Sequence, residues 1–320
     1  MGPSPRGAFR EKLSISALTI DGALGAVSLD YWDSTCSPNC NGAYAGTWDA
    51  PTTWTGLGDT HWASATKTFT WTLPTAGTAE TFDRGTFLNF KAANPQTVGA
   101  IPVEKPEWVF FDQVRCDSII GTNSTGCVFE KHIPTFTTNT KRYPAAAAYY
   151  WIMREKLSWH PGSKAHKTPM HREADSVVSD KSRQTICRKT GAFAYVEHPD
   201  ATSDTSGLNC DEFPFAATKE SGGQSTPLLN GGACVQLFAK KDGDGKWRLY
   251  DDERPPYTAP TWGEPCGRAT MPGKQNQDAG RGPGLSGFYT KARVLDNGPF
   301  YIDVPELSGC NVDEVCVIRP

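Results

Sequence analysis

Between residues 12 and 120 the apolar positions fall in short runs broken by Pro, Gly and Asn, and the clearest run alternates. Residues 67–73, Lys-Thr-Phe-Thr-Trp-Thr-Leu, place apolar and polar side chains with period two, the spacing of a half-buried strand. Residues 14–20, 26–31 and 108–111 are β-prone runs of similar length. Short runs with turn residues between them predict an antiparallel, sandwich-like β domain. The pattern changes at Pro144. An Ala run and then Tyr149, Tyr150, Trp151, Ile152, Met153 and Leu157 lead to His160-Pro161-Gly162. Pro in the first turn and the Ala run favour a helix, and its apolar character on nearly all sides predicts a buried one. A second helix is expected over residues 174–187. Residues 234–238 and 246–250 flank Lys241-Asp242-Gly243-Asp244-Gly245, which predicts a hairpin closed by a Gly/Asp turn rather than a calcium loop. A final strand is expected over residues 300–304. The chain therefore reads as α+β, with a β-rich domain over residues 1–125 and an α+β domain over 126–320, entered through residues 126–134.

Composition changes this picture in three ways. No run of 18 apolar residues exists in the 320, so no membrane-spanning helix is expected. The net charge of −3 is unevenly spread: residues 141–189 hold 11 Lys/Arg against 4 Asp/Glu, a basic segment suited to a polyanion. The ten cysteines include no CxxC pair, which disfavours zinc and favours disulfides and an oxidising compartment. Pairing of neighbours (36–40, 116–127, 187–210, 234–266, 310–316) is expected. The 187–210 bridge matters most, because it would anchor an acidic motif to a helix. Residues 1–6 lack the apolar core of a signal peptide, and the cysteines nonetheless point to a secreted, extracellular protein. A monomer is expected. Trp32, Trp48, Trp54, Trp62, Trp71 and Trp108 lie in the β half, with Trp151 just beyond it. Core positions account for them, while exposed ones would suit a polysaccharide or surface partner.

The candidate chemistry centres on residues 210–223, Cys-Asp-Glu-Phe-Pro-Phe-Ala-Ala-Thr-Lys-Glu-Ser-Gly-Gly. Asp211 and Glu212 stand side by side before an aromatic-Pro-aromatic step able to plug a core and fix the backbone. Neighbours on an extended segment point to opposite faces, so at most one of the two is expected to face a given site. Glu220 and a Gly-Gly hinge follow. Phosphodiester hydrolysis needs an activated water, neutralisation of developing charge and a stabilised leaving oxygen. Carboxylates, His171 as an alternative base, Asn276 as a neutral oxygen donor and Arg172, Arg183, Arg188 and Lys274 as phosphate partners supply those parts.

This motif resembles that of the NucA/NucB-type deoxyribonucleases, small secreted bacterial endonucleases with a D-E-aromatic-P-x-A core followed by E and G-G. Two further blocks are similar to the family's longer members. One runs from the apolar helix through His160-Pro161-Gly162 and Pro169-Met170-His171-Arg172 to the helix bearing Arg183 and Arg188. The other is residues 274–280, in which Asn276 and Gly280 are read as the entry to a short helix, followed by residues 284–304. The resemblance covers residues 127–304, and the chain departs from it in the seven cysteines from Cys127 onward. It implies a minimal ββα-metal-like site using Mg²⁺ or Mn²⁺, with Asp211 as general base, Glu212, Glu220 or Asn276 near the metal, and DNA, or RNA, cut without sequence specificity. An extracellular glycan- or surface-binding protein with a degenerate nuclease domain is the alternative. A nuclease toxin delivered into competitor cells is a third.

Overall fold

The computed structural model describes residues 6–16, 26–37, 40–44, 48–55, 58–72, 76–93, 108–120, 125–225, 227–282 and 284–310. The chain divides into two compact units, residues 1–132 and 133–320.

The first unit is all β. Its strands are β1 (Arg6–Ile15), β2 (Ala26–Ser37), β3 (Cys40–Tyr44), β4 (Thr53–Thr55), β5 (Ala63–Thr72), β6 (Ala79–Ala93), β7 (Trp108–Asp117) and β8 (Gly126–Phe129). They form two antiparallel sheets, ordered β1-β5-β3 and β4-β2-β6-β7-β8. Alternation on β5 buries Ala63, Ala65 and Phe69. Ala63 and Ala65 share clusters with Leu13 of one sheet and Leu29, Trp54 and Leu88 of the other. Arg84 on β6 pairs with Glu11 on β1. β6 escapes a hydropathy reading because it carries Glu80, Asp83 and Arg84 in its first half; Glu11 meets the Arg84 charge and the Gln113 amide donates to Asp83 at 3.1 Å. Of the tryptophans described, Trp54 is 1% exposed and Trp62 is 63% exposed. Residues 17–20, expected as strand, lie outside the described residues.

The domain boundary expected at residue 125 is corrected. β8 pairs with β7 in register Cys116↔Cys127, and a disulfide joins those two cysteines. Residues 126–129 therefore close the first unit instead of opening the second.

The second unit contains β9 (Thr135–Thr137), α1 (Pro144–Lys156), β10 (Met170–His171), α2 (Ser176–Ile186), β11 (Leu208–Phe213), β12 (Val235–Lys241), β13 (Trp247–Asp251), β14 (Gly267–Pro272), α3 (Gly273–Gly280), α4 (Leu285–Lys291) and β15 (Pro299–Asp303). One sheet is ordered β10-β15-β9 and the other β11-β14-β12-β13. Both are mixed: β12 runs parallel to β14 and β15 parallel to β9, and the remaining pairs are antiparallel. α1 starts at Pro144 and buries eight of its next nine residues, against β13, β14 and α3. α2 is capped by the Asp175 carboxylate, which accepts from the Val177 N–H at 2.8 Å. The β12–β13 turn is held by Arg248, which donates to Asp244 at 2.8 Å and also pairs with Asp242.

Phe213 and Phe215 enter the core of this unit, as the motif predicts. Phe213 is fully buried and stacks on Tyr150 with centroids 6.1 Å apart, and Phe215 meets Tyr150 edge-on at 4.9 Å. The intervening Phe213–Pro214 peptide is cis. The Gly-Gly step is no hinge. Residues 222–224 form a short 3-10 turn packed on α2, and a Cβ on Gly223 would fall 2.4 Å from the Ser182 carbonyl oxygen. The glycine is there to let the two backbones touch.

Phe213→Ala removes the most enclosed ring of this plug. It is expected to lower the unfolding free energy of the second unit by about 3–5 kcal/mol, read by chemical denaturation of the full chain.

Candidate active site

β11 places the acidic pair. Asp211 and Glu212 are 6% and 5% exposed and lie opposite Ala269 and Arg268 of β14. The Glu212 N–H donates to Asp211 Oδ1 at 3.0 Å, which turns the Asp211 carboxylate along its own strand. Both residues consequently line one cleft of about 740 Å³, which corrects the expectation that only one of the two faces a given site. Phe215, Tyr150 and Leu285 form apolar wall, and Arg183, Arg188, Lys189 and Arg281 bring positive charge.

The C-terminal end of α2 is fixed to this strand. A disulfide joins Cys187 to Cys210, and another joins Cys234 to Cys266. Cys36 and Cys310 are also disulfide-bonded. The expected pairs 36–40 and 310–316 each involve a cysteine outside the described side chains. The Cys187 sulfur, which has no hydrogen to donate in a disulfide, rests 3.5 Å from Glu212 Oε2. Arg183 reaches Glu212 Oε1 at 3.5 Å and Asp180 at 3.1 Å.

The electrostatics follow from burial. Removal from water, and then the adjacent Glu212 charge, push the Asp211 carboxyl well above its ordinary range. The Tyr150 hydroxyl beside it opposes that shift. Asp211 Oδ2 is shielded from solvent, and the Tyr150 hydroxyl is the side-chain hydrogen-bond neighbour of this carboxylate. Burial raises Glu212 as well, with Arg183 as the main opposing influence.

Of the residues singled out from sequence, Asp211, Glu212, Arg183, Arg188 and Asn276 come together here. Asn276 sits inside α3, not at its entry. The helix starts at Gly273 because the distant Asp204 carboxylate accepts from the Lys274 N–H at 2.8 Å and the Gln275 N–H at 3.3 Å. The Asn276 amide nitrogen donates to the Cys210 carbonyl at 2.9 Å, leaving its own carbonyl oxygen as the acceptor toward a ligand. His171, Arg172, Glu220 and Lys274 do not line the cleft. Glu220 grips His171 twice, at the ring Nδ1 (2.6 Å) and the backbone N–H (2.8 Å). Arg172 donates to the Val294 carbonyl at 2.6 Å and lies over the Tyr289 ring. Lys274 pairs with Asp278 at 3.0 Å. Tyr150, Lys189 and Arg281 were not anticipated. Lys189 and Arg281 directly follow Arg188 and Gly280 of the recognised blocks, and Tyr150 was read only as helix core.

Among the described residues no group of three or more His, Cys, Asp or Glu side chains is arranged to cage a metal. Mg²⁺ and Mn²⁺ do not require such a cage, since they keep several waters and take one or two carboxylates. The Asp211 and Glu212 carboxylates and the Asn276 amide oxygen, on residues that line one cleft, are hard-oxygen donors of the kind such an ion takes.

Comparison of the chain with family models, curated proteins and solved structures gives no match.

The raised carboxyl makes stability depend on pH in a definite sense. The folded state holds the Asp211 proton more tightly than the unfolded chain, so stability falls as pH rises from the ordinary carboxylate value toward the folded one. Asp211→Asn keeps the acceptor for the Glu212 N–H and removes the charge. At pH 7 it is expected to stabilise the fold by about 1–3 kcal/mol, an advantage that shrinks toward pH 4, measured by urea denaturation across that range.

Proposed function

We propose that the protein is a metal-dependent endonuclease that hydrolyses phosphodiester bonds of DNA, or of RNA, without reading sequence. The observation that carries the reading is the cleft itself: two buried adjoining carboxylates among Arg183, Arg188, Lys189 and Arg281. The ordered motif blocks similar to the NucA/NucB-type deoxyribonucleases support it. So does the ββα arrangement in which antiparallel β11 and β14 lead directly into α3. The Cys116–Cys127, Cys187–Cys210 and Cys234–Cys266 disulfides suit a secreted enzyme.

The chain's residues divide the work. Arg183, Arg188, Lys189 and Arg281 hold phosphates by charge, which fixes the backbone and leaves the bases unread. Glu212 and the Asn276 carbonyl would hold a divalent cation. That cation, when bound, neutralises charge developing on the phosphoryl and leaving oxygens. Asp211 accepts the proton of the attacking water, and its raised affinity for a proton brings it toward the pH at which a general base is most effective. His171, aligned by Glu220, has the form of a base but stands outside the cleft, so the proton transfer is assigned to Asp211.

One observation favours a second role in the same chain. Trp62 exposes 63% of its surface on the β unit, beside the Asp59–His61 pair, and suits a glycan partner.

In a plasmid-nicking assay, cleavage is expected with Mg²⁺ or Mn²⁺ and none with EDTA. Asp211→Ala is expected to lose at least about 100-fold of the rate, while His171→Ala retains activity. Equal loss in both variants would move the base to the His171–Glu220 pair. No cleavage by the wild type with any metal would leave the glycan-binding reading.

A further inference from the structure

The loop between α2 and β11 carries information that the hydrolytic reading does not use. Phe193 has φ of +59°, a left-handed conformation that is costly for a bulky side chain. The surrounding structure enforces it. Buried Arg268 donates to the Phe193 carbonyl at 2.9 Å, and the Tyr257 hydroxyl donates to the Ala194 carbonyl at 3.3 Å. Arg254 donates to the carbonyls of Val196 and Glu197 at 3.1 Å each. The Tyr195 N–H closes the loop on the Arg188 carbonyl at 2.7 Å. Four consecutive or nearly consecutive carbonyls are thus clamped by side chains from β14 and the segment after β13.

So much anchoring presents two apolar side chains to water. Phe193 is 39% exposed and Val196 62% exposed. One side of the Phe193 ring is packed against Gly232, where an added Cβ would fall 2.4 Å from the ring. Any larger residue at that position would push the ring off its seat. The loop flanks the cleft: Arg188, Lys189, Tyr195 and Glu197 all line it, and Phe193 stands between them in sequence. Arg188 Nε is shielded from solvent and has no hydrogen-bond partner. The loop therefore combines a seated aromatic ring, an unsatisfied guanidinium N–H and two cations, with Glu197 as its single acid.

The geometry points to residues 188–197 as a stacking shelf for an unpaired nucleobase, with Arg188 taking the adjoining phosphate, so that the cleft receives single-stranded nucleic acid in preference to a duplex. The inference rests on the nuclease reading for its choice of ligand. Every base has a π-face to offer an aromatic ring, whereas a paired base in a duplex has its faces covered by its neighbours. The positive charge beside the ring matches the phosphate that accompanies each base.

The test is fluorescence anisotropy in EDTA, where no cleavage occurs, with a labelled 12-residue oligothymidylate and a 12-base-pair duplex. The wild type is expected to bind the single strand more tightly. Phe193→Ala and Phe193→Leu should weaken it about five- to 100-fold and leave the duplex within twofold. Phe193→Trp should bind the single strand at least as well as the wild type. The leucine variant keeps the apolar contact with Gly232, so its loss is not a folding defect. Wild-type affinity in the leucine variant, equal loss on both ligands, or no binding of the single strand by the wild type would each overturn the shelf. Selective loss in a protein that cuts nothing would keep the shelf and sink the nuclease. Cleavage with an unaltered leucine variant would do the reverse.

Discussion

Two neighbouring carboxylates are held out of water on β11, and the second unit is arranged around that constraint. Removing a carboxylate from water costs several kcal/mol unless something replaces the lost hydration. Here the replacement is incomplete. Glu212 has the Ala216 backbone N–H and one guanidinium at 3.5 Å, on an arginine whose side chain is half exposed, and Asp211 has no cation of its own, only the Tyr150 hydroxyl and the Glu212 N–H. A chain free to relax would turn these groups outward. This one is prevented by the aromatic plug of Phe213 and Phe215 on one side of the pair and by the Cys187–Cys210 bridge on the other.

The same devices bring the positive charge. The bridge and the close approach of Gly223 to Ser182 fix α2 against the motif, so Arg183 and Arg188 arrive as consequences of packing. Arg268 extends the arrangement. It is 2% exposed, and its four hydrogen bonds go to neutral acceptors: Gln236, the Ile186 and Phe193 carbonyls and the Tyr257 hydroxyl. Its own charge thus joins the end of α2, the following loop and β12 around one strand. Such a frame resists collapse of the cleft onto the acids, and it leaves an electrostatic demand of the kind that a proton or a cation would meet.

What was legible in the sequence is what local rules govern. α1 announced itself through Pro144 and its Ala run, the β12–β13 hairpin through its Gly/Asp turn, and the plug through Phe-Pro-Phe. What failed was set by distant partners. β6 is stabilised by pairing on both edges, despite a charged and glycine-containing centre. α3 begins with a glycine and is capped by Asp204, some 70 residues away in the chain. The opposite-face rule for Asp211 and Glu212 held for the strand and missed the bend of one carboxylate toward the next peptide N–H. The grouping of Arg183, Arg188 and Asn276 with the acids was readable from the order of the motif blocks. The separation of His171 and Glu220 into their own pair was not, because sequence order carries no distance.

The central claim is that the buried pair is a site for a divalent cation, and calorimetric titration of Mn²⁺ into the wild type and Glu212→Gln at pH 5 and pH 8 tests it directly. The account predicts one bound ion per chain, tighter at pH 8 because the ion displaces protons from raised carboxyls, and at least about tenfold weaker in the variant. No binding at either pH, or equal binding by the two proteins, would contradict it.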